Sequence, residues 1–185
     1  NGSDSFTEAK ISKAIELNNI LGSKYIVMAS AGRVTGADGW KKVAETLSSS
    51  AEKVKSAGLK VGFHNHATEW KPVDGQRPMD ILAKGTPTHV MLPLDIGTTI
   101  EAGVDPVEWI KLNPGRINCI HCKDYSKEKG YKVLLGDGAS PWKEIFKAAE
   151  KKGGIEFYLV EQEGYDLPPY EVAEKCLANF KKLHG

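Results

Sequence analysis

The stretch Lys60-Val61-Gly62-Phe63-His64-Asn65-His66-Ala67-Thr68-Glu69-Trp70 opens as a strand, with Val61 and Phe63 alternating with small or polar neighbours. It then delivers two histidines, an asparagine and a glutamate between positions 64 and 69. In extended backbone the side chains at i and i+2 share a face, so His64 and His66 can look into one cavity. Imidazoles and carboxylates are the ligands of divalent transition metals and the acids and bases of proton transfer. Further along the chain, other apolar strands end in the same chemistry: Asp95, then His121 and Lys123, then Glu161 and Glu163.

The elements that position these groups alternate. Residues 6–21 read as an amphipathic helix, 24–29 as a strand and 30–39 as a Gly-rich loop. Residues 40–57 form a second long helix closed by Gly58. The strand 60–64, a short helix 79–84 and the strand 89–95 follow. Asp105 is a good N-cap and Pro106 a good first helical residue for a helix ending at Leu112. Residues 116–121 form the fourth strand, 140–151 a helix, 154–161 the fifth strand and 169–183 the closing helix. Such alternation predicts parallel strands joined by right-handed crossovers. Ile155, Phe157, Tyr158, Leu159 and Val160 make the fifth strand nearly continuous in apolar character, the pattern of a strand covered on both faces.

Composition narrows the function classes. The chain has 185 residues, 41% hydrophobic and 26% charged, with net charge +1. That length suits one domain spanning 1–185, burying about 70% of its unfolded surface. A near-neutral charge argues against a nucleic-acid surface. No apolar run approaches the ~20 residues that cross a bilayer. No signal-peptide pattern opens the chain, so a cytoplasmic location is expected, with a removed leader left open. Cys119 and Cys122 have a Cys-x-x-Cys spacing but straddle His121 in a strand and face opposite sides. With no second pair to complete a zinc knuckle, Cys119, Cys122 and Cys176 are expected to be buried and reduced.

An open doubly wound sheet usually carries a Gly-rich phosphate loop after its first strand. Ala29-Ser30-Ala31-Gly32-Arg33-Val34-Thr35-Gly36 does not have that form. In an α/β barrel, functional groups lie at the C-terminal strand ends, where the titratable residues of this chain recur at roughly thirty-residue intervals, one βα unit each. The fold expected is therefore α/β, a (β/α)8 TIM barrel with only its last five strand–helix units, strands 4–8, present. Taken singly, each residue has a plainer reading. Asp95 could be a helix cap, and His64 or His121 a satisfied polar residue. Glu69 and Glu163 could be surface charges, and Lys123 a buried ion-pair partner of Asp124 or Glu163. Trp70, Trp142 and the Gly136-Asp137-Gly138 turn read as pocket rim or as ordinary packing.

Several motifs together resemble the xylose-isomerase-like TIM barrels. They are His64-Asn65-His66 with Glu69, Leu94-Asp95-Ile96-Gly97, Ile120-His121-Cys122-Lys123-Asp124, Gly136-Asp137-Gly138 and Val160-Glu161-Gln162-Glu163. That superfamily includes sugar-phosphate isomerases and epimerases, tagatose-type epimerases, inosose dehydratase, 3-dehydroshikimate dehydratase and, distantly, an endonuclease. The resemblance implies one divalent metal ion (Mn, Zn, Co or Mg) held by His64, Asp95, His121 and Glu161. In the epimerases the first ligand is a glutamate, where His64 stands here, and Thr98 stands where they carry a histidine. Glu161, Glu163, His66 and Lys123 are the expected acid–base or substrate-orienting groups.

The implied activity is metal-dependent isomerisation or epimerisation of a sugar, sugar phosphate, keto-sugar or polyol, by proton transfer beside a metal-polarised carbonyl. Dehydration or lyase chemistry of the inosose or dehydroshikimate type is the second reading. A noncatalytic sugar-binding module or inactive fragment is the third, because an open strand set exposes edges. An endonuclease would want more ligands and a basic surface, against five histidines and charge +1. The partners expected are a small sugar or polyol, with no nucleic acid and no membrane; a homo-oligomer is left open.

Overall fold

In the computed structural model, residues 2–185 are described. They divide into two compact units, the first ending at Pro93 and the second starting at Leu94.

The first unit begins with a 3-10 turn, Ser3–Phe6, and helix α1, Ile11–Ile20. The continuous helix expected over 6–21 is thus broken at its start. Thr7 turns the chain there, its N–H and hydroxyl both donating to the Asp4 carbonyl. Strand β1 (Tyr25–Met28) pairs in parallel with β2 (Lys60–Phe63), and helix α2 (Gly36–Lys55) connects them. The α2 helix starts four residues before the expected position 40. Gly36 adopts φ +68, and the Asp74 carboxylate accepts the Ala37 N–H at 2.8 Å. A cap supplied from so far along the chain has no local sequence signal. Ala44, Leu47, Ala51 and Val54 form the buried face of α2, against which α3 (Pro78–Gly85) packs.

The expected strand 89–95 is divided. Met91 bridges Gly62 in the first unit, whereas the second unit's β3 is only Leu94–Asp95. Pro93 lies between the two segments and has no N–H to give a ladder.

The second unit carries a parallel sheet of order β3-β4-β5, with β4 at Cys119–Cys122 and β5 at Phe157–Val160. Asp95 registers with His121, and His121 with Leu159. Two helices follow β3: α4 (Ile96–Glu101), absent from the sequence reading, and α5 (Pro106–Leu112). Helix α6 (Trp142–Ala148) ends in a π-helical turn, Ala149–Gly153, so the expected helix 140–151 changes its hydrogen-bonding pattern near its end. Helix α7 (Pro169–His184) closes the chain. Tyr158 points from β5 into a ring cluster with Phe146, Phe180 and His184.

The expectation that the fifth strand is covered on both faces is overturned. Phe157, Leu159 and Val160 are 47%, 48% and 38% exposed. The β5 strand pairs only with β4, and among the described residues no strand takes its other edge. The three cysteines are buried and unbridged, as expected. No helix among the described residues is long and apolar enough to cross a membrane.

The α5 boundary behaves as its sequence reads. The Asp105 Oδ1 accepts from Val107 N at 2.8 Å and Glu108 N at 3.2 Å, with Pro106 at the first helical position. Asp105→Ala should lower stability by about 1 kcal/mol, the usual worth of such a cap. A urea midpoint equal to that of the wild type would contradict the assignment.

Candidate functional site

Each unit brings its own share of the polar residues together. In the first, β2 ends at Phe63, and the His64 N–H continues the ladder to the Met28 carbonyl at 3.0 Å. His64 and Asn65 are buried, while the His66 side chain is 48% exposed. The two imidazoles meet edge to face with centroids 4.9 Å apart, which realises the shared face inferred from their spacing. Glu69 is no surface charge. It is buried, and its carboxylate accepts the His66 N–H at 2.7 Å and the Thr68 hydroxyl at 3.1 Å. The turn Ala67–Trp70 is thereby capped, and the backbone carrying His66 is fixed.

In the second unit the centre of the cluster is the Lys123 ammonium, 2% exposed as a residue. It lies 2.8 Å from Asp95 Oδ2, 2.9 Å from Glu161 Oε1 and 2.9 Å from Glu163 Oε1. These partners come from the ends of β3 and β5, which flank the β4 strand that carries Lys123. Asp95 is also a helix cap, its Oδ1 accepting the Thr98 N–H at 2.9 Å. The plain reading of Asp95 as a helix cap is thus realised, in a carboxylate that also meets Lys123. Glu163 is half exposed and paired with Lys123, which realises the plain reading of Lys123 as its ion-pair partner.

The charges in this cluster are strongly perturbed. Burial would lower the Lys123 pKa, but Asp95, Glu161 and Glu163 raise it above the ordinary lysine range. Burial raises Asp95, against the pull of Lys123 and the Thr98 N–H. His121 Nδ1 sits 2.6 Å from Glu161 Oε2. Burial alone would lower the His121 pKa; its bonds to Cys119 and Glu161 prevail and hold it at about 9. The bond from His121 holds Glu161 down at about 2, assisted by Lys123 and opposed by burial. Glu161 is thereby held in its anionic form.

Asp124 is not the ion-pair partner of Lys123. Its two oxygens accept from the N–H groups of Tyr125, Gly136, Gly138 and Ser140, the Ser140 hydroxyl and Trp142 Nε1, at 2.6 to 3.2 Å. This clamp closes the loop between β4 and α6. A Cβ at Gly138 would lie 2.3 Å from Asp124 Oδ1, which explains the glycine there. Trp142 and Trp70 are both buried, so packing rather than an open rim is their role. The sequence reading missed Tyr131, whose ring lies 5.0 Å from Lys123 Nζ, and Glu101, which accepts the Tyr131 hydroxyl at 2.5 Å. A tyrosine inside a polar loop carries no periodic signal, so only its contacts reveal it.

Over residues 3–183 the chain matches the family described as xylose isomerase-like TIM barrel. It belongs to that family, and its five parallel strands are part of that barrel. Inosose dehydratases from two Clostridium perfringens strains are each 26% identical, covering 78% of this chain and 59% of their own length. The chain therefore spans under two thirds of the curated relatives it matches. A sugar phosphate isomerase/epimerase structure from Parabacteroides distasonis is 30% identical with TM-score 0.82, over 95% of this chain and 66% of that one. An IOLI protein solved with a zinc atom shares the fold at 18% identity and TM-score 0.74, over 95% of this chain and 68% of its own.

The paired shifts of His121 and Glu161 make stability depend on pH at both ends. His121 is raised from 6.5 to about 9, so its contribution is complete below pH 6.5 and is lost as pH climbs through 9. Glu161 is lowered from 4.5 to about 2, so its contribution is complete above pH 4.5 and is lost as pH falls through 2. For chelator-treated protein, urea midpoints should fall between pH 6.5 and 9 in the wild type. The same alkaline slope in His121→Gln would refute the pairing.

Proposed function

We propose that the chain carries the metal and proton-transfer chemistry of a sugar or polyol isomerase or epimerase. His64, Asp95, His121 and Glu161 are the proposed ligands of one divalent ion: Mn, Zn, Co or Mg. The first three each offer a ligand atom of a kind such ions take. The supporting observation is the Lys123 cluster. A buried Asp95 and two further carboxylates gather at strand ends around a positive charge, beside an imidazole tied to one of them. That oxygen-and-nitrogen donor set fits a divalent ion. Glu161, anionic down to about pH 2, is ready to accept one.

When bound, such an ion supplies a Lewis acid that polarises a carbonyl oxygen. The remaining work falls to the chain. Glu163 is the proposed base that takes the proton from the carbon next to that carbonyl; its half exposure and the hold of Lys123 on one of its oxygens support that role. Lys123 holds its proton firmly and serves as a fixed positive charge and hydrogen-bond donor toward developing oxyanion charge. His66, exposed beside His64, is the proposed group that returns the proton. Return to the opposite face of the same carbon gives the epimer; return to the neighbouring carbon gives the isomer.

Dehydration is the second reading, and one observation favours it. His64 and Thr98 stand where the resembling epimerases carry a glutamate and a histidine, and the buried Thr98 donates its N–H to Asp95. One of the epimerases' two opposed carboxylates is therefore absent. The same proton abstraction could then expel a β-hydroxyl, which leaves as water with a proton from His66 while the C=C bond forms. The relatives from Clostridium perfringens named inosose dehydratases support this reading.

Two measurements test these assignments. Purified wild-type protein should hold about one divalent ion per chain, as such four-donor sites do. Asp95→Ala should hold little, and equal metal content in both would sink the site. In D2O with an inosose or a ketohexose, deuterium should enter the carbon next to the carbonyl. Loss of water from the inosose without exchange back into substrate would select dehydration. Glu163→Gln should slow either process about 100-fold or more, in keeping with loss of a general base.

A further inference from the structure

Loops leave the C-terminal ends of β3, β4 and β5, and Tyr131 is tethered to all three. Its hydroxyl donates to Glu101 Oε2 at 2.5 Å, at the end of α4, the helix that follows β3. Its carbonyl accepts from Gln162 Nε2 at 2.7 Å, and Gln162 lies between Glu161 and Glu163 after β5. Its own loop follows β4 and is closed at both ends. Ser126 and Gly130 form a bridge just before it, and the Asp124 clamp holds residues 136–142 after it. The Tyr125 ring meets the Tyr131 ring edge to face at 5.6 Å. With its position so determined, the ring lies over the Lys123 ammonium at 5.0 Å.

We propose that Tyr131 is the positioning residue of the site, locking the three strand-end loops together and holding the Lys123 ammonium on Asp95, Glu161 and Glu163. An ammonium with its three N–H groups committed to carboxylates still has flanks between them, through which water would compete for those hydrogens if nothing covered them. An aromatic face covers such a flank and attracts the charge, most strongly where water is excluded. Glu101 matters because it stops the ring from swinging aside. The inference rests on the proposed function only for the use made of Lys123; the positioning itself requires neither metal nor substrate.

The test is the 1H–15N NMR signal of the Lys123 ammonium in chelator-treated protein, and the rate at which its hydrogens exchange with water. Tyr131→Leu removes the ring and should accelerate that exchange about tenfold, the loss of one desolvated cation–π contact. Tyr131→Phe keeps the ring but releases it from Glu101, and its rate should fall between the other two. Should the leucine variant fail to fold, the comparison of phenylalanine variant with wild type still decides. Equal exchange in all folded variants overturns the proposal. So does faster exchange accompanied by equally faster exchange of backbone amides throughout, since that marks general loosening. A protein that binds no metal and turns over no sugar would still report on Tyr131, so the two proposals fail separately.

Discussion

The charged part of the second unit depends on one interaction, the Lys123 ammonium among three carboxylates. The sheet register makes it possible. Asp95 on β3 lies beside His121 on β4, which lies beside Leu159 on β5. In-register side chains of neighbouring strands point the same way, and a step of two residues preserves the face. Lys123 is two residues beyond His121 and Glu161 two beyond Leu159, so all four polar groups emerge on one side, at one end. Moving any strand by one residue would send its member of the cluster to the opposite face. Buried ion clusters are poor evidence of stability, because desolvation offsets much of their Coulomb gain. What this one provides is a fixed arrangement of charge.

Lys123 and Asp124 are adjacent in sequence and serve opposite sides of the backbone. Lys123 faces the carboxylates; Asp124 faces the loop that returns to α6. A buried carboxylate with no cation beside it is costly unless donors replace its water. Backbone N–H groups, the Ser140 hydroxyl and the Trp142 indole do so here. The same anion therefore organises a loop without altering the charge at the site. Glu69 does comparable work in the first unit, where capping a single turn fixes the backbone of His66.

Much of this was legible in the sequence, and the failures have identifiable causes. Strand–helix alternation, the Asp105-Pro106 helix start and the titratable strand ends all depend on local pattern, and all appear. The N-terminus of α2 does not, because its cap is Asp74, held against Ala37 only after folding. The strand over 89–95 splits at Pro93, because an apolar run does not make up for the N–H that proline lacks. The apolar character of β5 predicts two-sided burial, which composition alone does not secure: among the described residues only β4 pairs with it. Of the two ion-pair partners the sequence offers Lys123, Glu163 is realised and Asp124 is not, because sequence shows two neighbours of opposite charge and not the faces they take. Glu101 and Tyr131, thirty residues apart, have no signal short of their contact.

Charge balance ties the cluster to the proposed metal. Asp95, Glu161 and Glu163 face one ammonium and a His121 that its neighbours keep protonated up to about pH 9. With all three acids ionised, the group carries one unit of negative charge. A metal-bound imidazole must give up its second proton, so ion binding and deprotonation of His121 are coupled. Exchanging that proton for a divalent ion brings the cluster to neutrality, whereas a monovalent ion would leave it negative. The residual negative charge is thus matched to a divalent cation. Lys123 is the constant in both states: its charge opposes the rise that burial imposes on Asp95 and helps hold Glu161 down. A neutral residue in its place would let burial drive Asp95 toward its protonated form, in which it is a poor ligand.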